Sequence, residues 1–289
     1  MNKRREDAHR KAHAQSFANQ ESRRTIPAKK LGRIVRIRMG FQPFGITSSV
    51  NADGTDKVLI ANYYGPAIVR TIVSKDEAGL HFAVNHIRGA EGSMRCFPDV
   101  QRGANRMQVA VRHPNGDVLV LRNGDDDFYA LRLIDGGGFR FEGKFDIAVH
   151  KVNQMVHSAA MVGDLLVTIE SEIKAATADW CRRVYGPTED DQLHPIFGLT
   201  GDDVPSARWR YGIAASSDPK KHWTVTDFRS EEKHGVYLGD DLVVPGICGS
   251  GLAILTDGSM LVSVYGESFP EPFNGRPGEL VYIPAALLK

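Results

Sequence analysis

Cysteine is scarce in this chain. Its 289 residues include three, Cys96, Cys181 and Cys248. They are odd in number, far apart and form no C-x-x-C pair, so neither a disulfide framework nor a cysteine-built zinc site is expected. Long apolar runs are missing too. No stretch approaches the roughly 20 residues of a membrane-spanning helix, and no membrane partner is expected. The basic N-terminus has no apolar core segment, so it does not read as a classical secretory signal. The expected location is the cytoplasm or a particle assembled there, such as a virion. Net charge is nearly absent at +1, so no global field draws the chain to nucleic acid or acidic lipid.

Several chemical signatures are also absent. His150, His157 and His194 are scattered, with no H-E-x-x-H, and no metal site is expected. Asp125, Asp126 and Asp127 lack a calcium-loop context and read as an acidic hairpin. Residues 135–139, DGGGF, are followed by no Lys-Ser/Thr and no helix, so they form a turn and not a phosphate loop. Ser250 stands in CGSGL, outside any G-x-S-x-G elbow, and Cys248 reads as a small buried residue. No cofactor is expected.

Charge is present, but at one end. The first 38 residues contain 12 Lys and Arg against Glu6, Asp7 and Glu21, which leaves the remainder net acidic. Residues 1–31 have few large apolar side chains and cannot build a core. They read as a basic arm, either a flexible solvated tail or a segment that docks on a partner protein or nucleic acid. Arg4, Arg5, Arg10, Lys11, Arg23 and Arg24 are its contact candidates. The second expected unit spans residues 32–289.

From Gly32 the texture changes to short alternating runs, and the 29 glycines fall mostly between them. Four runs share one form, a turn with Asp, Asn or Gly followed by an apolar strand: NADGTDKVLIANYY (51–64), HPNGDVLVLRN (113–123), MVGDLLVTIE (161–170) and LTDGSMLVSVY (255–265). Asn-Gly and Asp-Gly supply the positive φ angles of tight hairpins. Each run is preceded by a short strand and followed by a third. The first three units offer a fourth strand, in residues 80–87, 139–145 and 222–228. The last lacks one, and GRIVRIRMG at 32–40 is spare. The fold class that follows is all-β: a β-propeller of four-stranded antiparallel blades, closed by pairing of the N- and C-terminal strands. Four blades are clear, and a fifth has room in 171–208 or 229–249. Residues 171–208 otherwise read as a long insertion with a short helix around 172–184, a second candidate surface for other subunits of an assembly.

Two strand junctions have a further likeness. SKDEAGLHF has Ser74, Asp76, Gly79 and Phe82; SSDPKKHW has Ser216, Asp218 and Trp223. Both are read as joining the third and fourth strands of their units. They resemble the Asp-box, Ser-x-Asp-x-Gly-x-Thr-Trp, of the BNR or sialidase-like propellers. There the carboxylate caps a hairpin and the aromatic packs beneath it, so the box implies fold and not chemistry.

The resemblance also implies a place to look for a site. Sialidases of that group use three arginines for a substrate carboxylate, a Tyr–Glu nucleophile pair and an Asp acid/base. Arg36-Ile37 keeps part of the Tyr/Phe-Arg-Ile-Pro motif, with Val35 and Arg38 at the flanks. Arg38, Arg106 and Arg112 are further arginine candidates. Asp53 or Asp56 is a candidate acid/base, and Glu170, Tyr265 and Glu267 lie at strand ends. Charged strand ends are also what a solvated rim provides. The reading favoured by sequence is therefore a non-catalytic binding or scaffolding module, anchored by its arm in an assembly such as a phage or virus particle. The alternatives are a sialidase-like exo-glycosidase and a glycan-binding, lectin-like module without turnover.

Overall fold

The structure is a computed structural model. It describes residues 21–39, 41–62, 68–89, 107–112, 117–122, 128–134, 138–145, 154–162, 165–172, 180–187, 193–195, 204–206, 209–216, 221–264 and 278–289. Among these the chain is all-β and its sheets are built from antiparallel strands. Its helices are two 3-10 turns, Ala28–Lys30 and Ala285–Leu287. None is long and apolar enough to cross a membrane.

The first strands are β1 (Glu21–Pro27) and β2 (Val35–Arg38). A first meander follows: β3 (Pro43–Val50), β4 (Asp56–Asn62), β5 (Ile68–Asp76) and β6 (Gly79–Gly89). The second is β7 (Met107–Arg112), β8 (Asp117–Arg122), β9 (Phe128–Ile134) and β10 (Gly138–Phe145). A short parallel contact of β10 with β6, Gly138 against Arg88 and Phe139 against Gly89, links these two edge to edge into one continuous sheet; each of the five meanders counts as a sheet of its own, in chain order. The third is β11 (Gln154–Val162), β12 (Leu165–Glu172) and β13 (Trp180–Pro187). Two short strands, β14 (Leu193–Pro195) and β15 (Val204–Ser206), share the outer edge of β13. The fourth is β16 (Arg210–Ala215), β17 (His222–Thr226), β18 (Gly235–Leu238) and β19 (Asp241–Pro245). The fifth is β20 (Gly251–Ile254), β21 (Met260–Val264) and β22 (Glu279–Ile283). β2 completes it, in the order β2-β22-β21-β20, with Val35 opposite Tyr282 and Arg38 opposite Glu279.

The strands divide differently from the sequence reading in one region. The third unit was expected to run from 157 directly to 209–228. Instead β16 and β17 open a sheet of their own, and β18 and β19 complete it from residues 235–245. The helix expected around 172–184 is replaced at its C-terminal end by β13. Trp180, Val184 and Tyr185 are strand-favouring types, and pairing with β12 decides in their favour.

The opening strands of the five units touch in turn: β3 with β7, β7 with β11, β11 with β16, β16 with β20, and β20 with β3 again. The core lies between the units. Ile37, Phe41, Ile46, Ile60, Leu261 and Tyr282 fill the space between the first and the fifth; Val225, Val236, Leu252 and Val262 do so between the fourth and the fifth. Backbones approach closely at Gly212, whose φ is +69°; a Cβ there would lie 2.7 Å from the Leu252 nitrogen. Only glycine suits that position.

The repeated turn is the Asp-Gly-Thr/Ser hairpin. The Asp53 carboxylate accepts hydrogen bonds from the Thr55 N–H (3.0 Å) and hydroxyl (2.6 Å). Asp257 does the same for Ser259. Gly54 and Gly258 have φ of +80° and +79°. The two turns are joined side by side, because Asp56 accepts from the Thr256 N–H (3.0 Å) and hydroxyl (2.9 Å).

β1 pairs with β6 along its whole length, from Glu21 opposite Asn85 to Pro27 opposite Gly79. The arm drawn to residue 31 therefore contributes an edge strand to the first sheet. Ile26 is buried beside Leu80 and Phe82. We predict that Ile26→Ala lowers unfolding free energy by about 2–5 kcal/mol, the usual cost of truncating a buried aliphatic side chain. Urea denaturation measures this, and an unchanged midpoint would show that β1 is not packed.

Candidate functional site

Of the catalytic-site candidates singled out in the sequence, Arg36, Arg38, Asp53 and Asp56 have described side chains. Arg36 lies on β2, the outer strand of the fifth sheet, and its guanidinium pairs with Glu279 at 3.1 Å. Arg38 is exposed on the same strand, and its carbonyl accepts a hydrogen bond from Arg24 Nε at 3.1 Å. Asp53 caps its turn, and the Thr55 hydroxyl and N–H hold its carboxyl below the usual aspartate range. Arg112 ends β7 opposite Val118, beside the first hairpin of its unit, as Asp53 does. Glu170 lies on β12 opposite Val156 and Cys181, towards the other kind of sheet end. Arg106, Tyr265, Glu267, Asp218, Arg4, Arg5, Arg10 and Lys11 lie outside the described residues.

The two Asp-box-like stretches do different work. Asp76 accepts from the backbone N–H groups of Ala78 (2.8 Å) and Gly79 (3.1 Å) and lies 2.8 Å from His81 Nε2. Those bonds, His81 first, hold its carboxyl below the usual range. Phe82 is fully buried, and Ser74 is exposed. Gly79 is required, since its φ is +147° and a Cβ would meet the Ile26 carbonyl oxygen at 2.0 Å. In the second stretch the Ser216 hydroxyl donates to the Lys221 carbonyl at 2.7 Å, and Trp223 is buried. This stretch joins the first two strands of the fourth sheet, whereas SKDEAGLHF joins the third and fourth strands of the first. The expected equivalence of the two junctions is therefore corrected. Assigning 209–228 to the third unit had created it.

A cluster that sequence reasoning missed sits where β16 begins and β17 ends. Arg210 is buried and holds Glu232 through two bonds, Nε to Oε2 at 2.7 Å and Nη2 to Oε1 at 2.8 Å. It also donates to the Gly239 carbonyl at 2.9 Å and lies 4.1 Å from the Tyr237 ring centre. Arg229 Nε donates to Asp227 Oδ1 at 2.6 Å and Nη2 to the Tyr211 hydroxyl at 2.9 Å, with its guanidinium 3.9 Å from the Trp209 ring centre. Trp209 itself has φ +63°, a strained value for a side chain of that size. Arg–carboxylate forks and cation–ring stacks of this kind fix loops rigidly. The cluster braces residues 227–234 against the start of β16. Cys248 nearby is half-buried; burial, and then the charge of Asp227, push its thiol up, away from nucleophilic character. The only sequence signal was the Trp-Arg-Tyr run at 209–211, which reads equally well as an ordinary strand.

The described surface does carry one concentrated chemistry. Residues 22–38 hold Arg23, Arg24, Lys29, Lys30, Arg33, Arg36 and Arg38 with no acid. They line β1, the 3-10 turn after it, and β2. Among the described residues no cluster of three or more His, Cys, Asp or Glu side chains could hold a metal ion.

No known protein family matches the chain, and no curated protein does. Among solved structures it is similar to a streptogramin B lyase, at 11% identity over 86% of this chain and 97% of that one, with a TM-score of 0.40. It is also similar to the PQQ-bound aldose sugar dehydrogenase of Streptomyces coelicolor, at 11% identity over 89% and 99% of the two chains, TM-score 0.42. A third is a mutant GH32 β-fructofuranosidase of Bombyx mori in complex with sucrose, at 11% identity over 97% of this chain and 66% of that one, TM-score 0.47. Likeness at this level assigns no activity or ligand to the chain.

Asp227 gives the cluster a pH signature. Burial pushes its carboxyl above the usual aspartate value, and the hydrogen bond and charge of Arg229 pull the other way without overcoming it. The folded state therefore keeps a proton that the unfolded state releases above about pH 4. Stability falls as pH rises through that window, and below it the group contributes no slope. We predict that Asp227→Asn flattens this part of the stability–pH profile, as measured by urea midpoints. A profile with unchanged slope would show that Asp227 is already ionised in the fold.

Proposed function

We propose that this chain is a five-bladed β-propeller, closed by β2, and that it works as a non-catalytic binding and scaffolding module anchored in a larger assembly by its basic N-terminal segment. The cyclic succession of contacts among β3, β7, β11, β16 and β20 supports the ring. The pairing of β2 with β22 supports closure by the chain's own N-terminal region. Kinship with Asp-box propellers rests on the β5–β6 turn, where Asp76, Gly79 and Phe82 do what such a box requires.

The observation that carries the functional half is the seating of β1. Its seven residues are paired to β6, and His81 lies between Thr25 (3.2 Å) and Asp76 (2.8 Å). Glu21 is thereby paired with Asn85 at the edge of the first sheet, and the cations of residues 1–20 precede it in the sequence. A second contact linked to a binding segment gains effective concentration at the same partner. Three of the four catalytic-site candidates with described side chains have structural partners: Arg36 pairs with Glu279, Asp53 caps its turn, and Asp56 accepts from Thr256; Arg38 is exposed without a carboxylate partner among the described residues. That favours binding over turnover. A phage or virus particle is the kind of assembly such a tethered disc suits.

Deleting residues 2–20 is expected to leave the thermal midpoint unchanged and to abolish co-purification of the chain with its native assembly. Full incorporation of the truncated chain would overturn the anchoring role.

A further inference from the structure

The basic character does not end with the arm. It continues onto folded surface. β1 and β2 are both edge strands, of the first and the fifth sheet, and the Arg24 side chain bridges them through its bond to the Arg38 carbonyl. Together with the 3-10 turn they carry seven cations within residues 22–38 and no acid. Arg23, Lys29, Arg33, Arg36 and Arg38 are exposed, and Arg24 and Lys30 half-exposed. Arg36 has Glu279 as its partner. Among the described residues Arg23, Lys29, Lys30, Arg33 and Arg38 have no carboxylate partner. The acids at or beside the strip are Glu21 at the start of β1, Glu279 opposite Arg38 and paired with Arg36, Asp76, engaged by His81 and its own turn, and exposed Glu77.

We propose that this rim is a docking surface for the phosphate backbone of duplex nucleic acid, read without regard to sequence. The inference rests on the reading of the chain as a tethered binding module, and it names the partner. Charge complementarity carries it. The first 38 residues are net +9, from 12 cations and three acids, so the rest of the chain is net −8 against the total of +1. Of that +9, the described strip, residues 21–38, holds +6, from seven cations and Glu21, and a local excess of this size attracts a polyanion to the strip.

The composition of the strip separates nucleic acid from a protein partner. Protein interfaces centre on buried aromatic and apolar anchors. This strip has none; Ile34 is its one exposed large apolar side chain, at 39% exposure. Single strands are held by stacking their bases on exposed aromatics, and the strip has no aromatic residue. Backbone contacts to a duplex need cations alone.

The test measures binding of the full chain to a short mixed-sequence DNA duplex between about 50 and 200 mM salt. A variant with Lys29→Gln, Lys30→Gln, Arg33→Gln and Arg38→Gln changes only exposed or half-exposed side chains without carboxylate partners, and its thermal midpoint checks the fold. The expected result is equal affinity for two unrelated sequences. The variant should bind at least tenfold more weakly, with a plot of log affinity against log salt shallower by about 3 to 4, near 0.9 for each lost phosphate contact. A chain lacking residues 2–20 should keep part of the salt-dependent binding. Unchanged affinity and slope in the variant would overturn the proposal, as would tighter binding to single strands or to polyglutamate. Co-purification with an assembly but no affinity for duplex would sink this inference alone. A folded chain that co-purifies with nothing would sink the module reading.

Discussion

Everything in this fold is organised by one antiparallel pairing, that of β2 with β22. Those two strands are separated by almost the whole chain, and the hydrogen bonds between them turn a row of meanders into a structure whose last sheet depends on its first residues. Such a pairing carries a high loop-closure entropy. It is stabilised by what it buries: Ile37 and Tyr282 join Phe41, Ile46 and Ile60 in the core between the first and fifth sheets. The crossover after β2 is fixed by reciprocal bonds, Met39 N–H to the Gly278 carbonyl and Gly278 N–H to the Phe41 carbonyl, both 2.9 Å. On the far side, the two Asp-Gly-Thr/Ser turns are locked together through Asp56 and Thr256. The first and fifth sheets are thus tied at both ends, with apolar packing between.

That constraint also decides where the charge goes. Because β2 must reach the fifth sheet and β1 covers the edge of the first, the basic segment is drawn across two neighbouring rims and becomes folded surface. The cover protects β6, which would otherwise present an open edge to other chains. β2 completes the last sheet, β1 covers the edge of the first, and together they display the cations of residues 22–38. The fourth sheet uses arginine in the opposite way: Arg210 and Arg229 are turned inward onto carboxylates and rings, where they brace loops and have no part in display.

The sequence made some of this legible. Alternation in short runs and Asp-Gly turns mark β3 to β10 and β20 to β22, because those turns need positive φ and those strands have clear period two. The spare strand at 35–38 was visible because the last unit lacked a partner. The division of the middle was not. β14 and β15 are three residues each and contain prolines, and β18 and β19 are joined through Gly239 and Asp240 with no Asp-Gly signal. Such short strands leave no periodicity to read. β1 was hidden for a different reason. ESRRTIP has one large aliphatic residue, Ile26, and its strand state is imposed by β6 and by Gly79, which lets the backbones meet. The Arg210 and Arg229 clusters depend on loops folding back, which no local pattern encodes.

The most direct test of the account is a cross-link across the closing pair. With the three native cysteines replaced by serine, Arg38→Cys and Glu279→Cys place thiols on residues that face each other in the β2–β22 register, within the separation a disulfide spans. Mild oxidation is predicted to give a monomeric, internally bridged chain with a raised thermal midpoint. Failure to bridge, or bridging only between two chains, would contradict the claim that the N-terminal strand completes the last sheet of its own molecule.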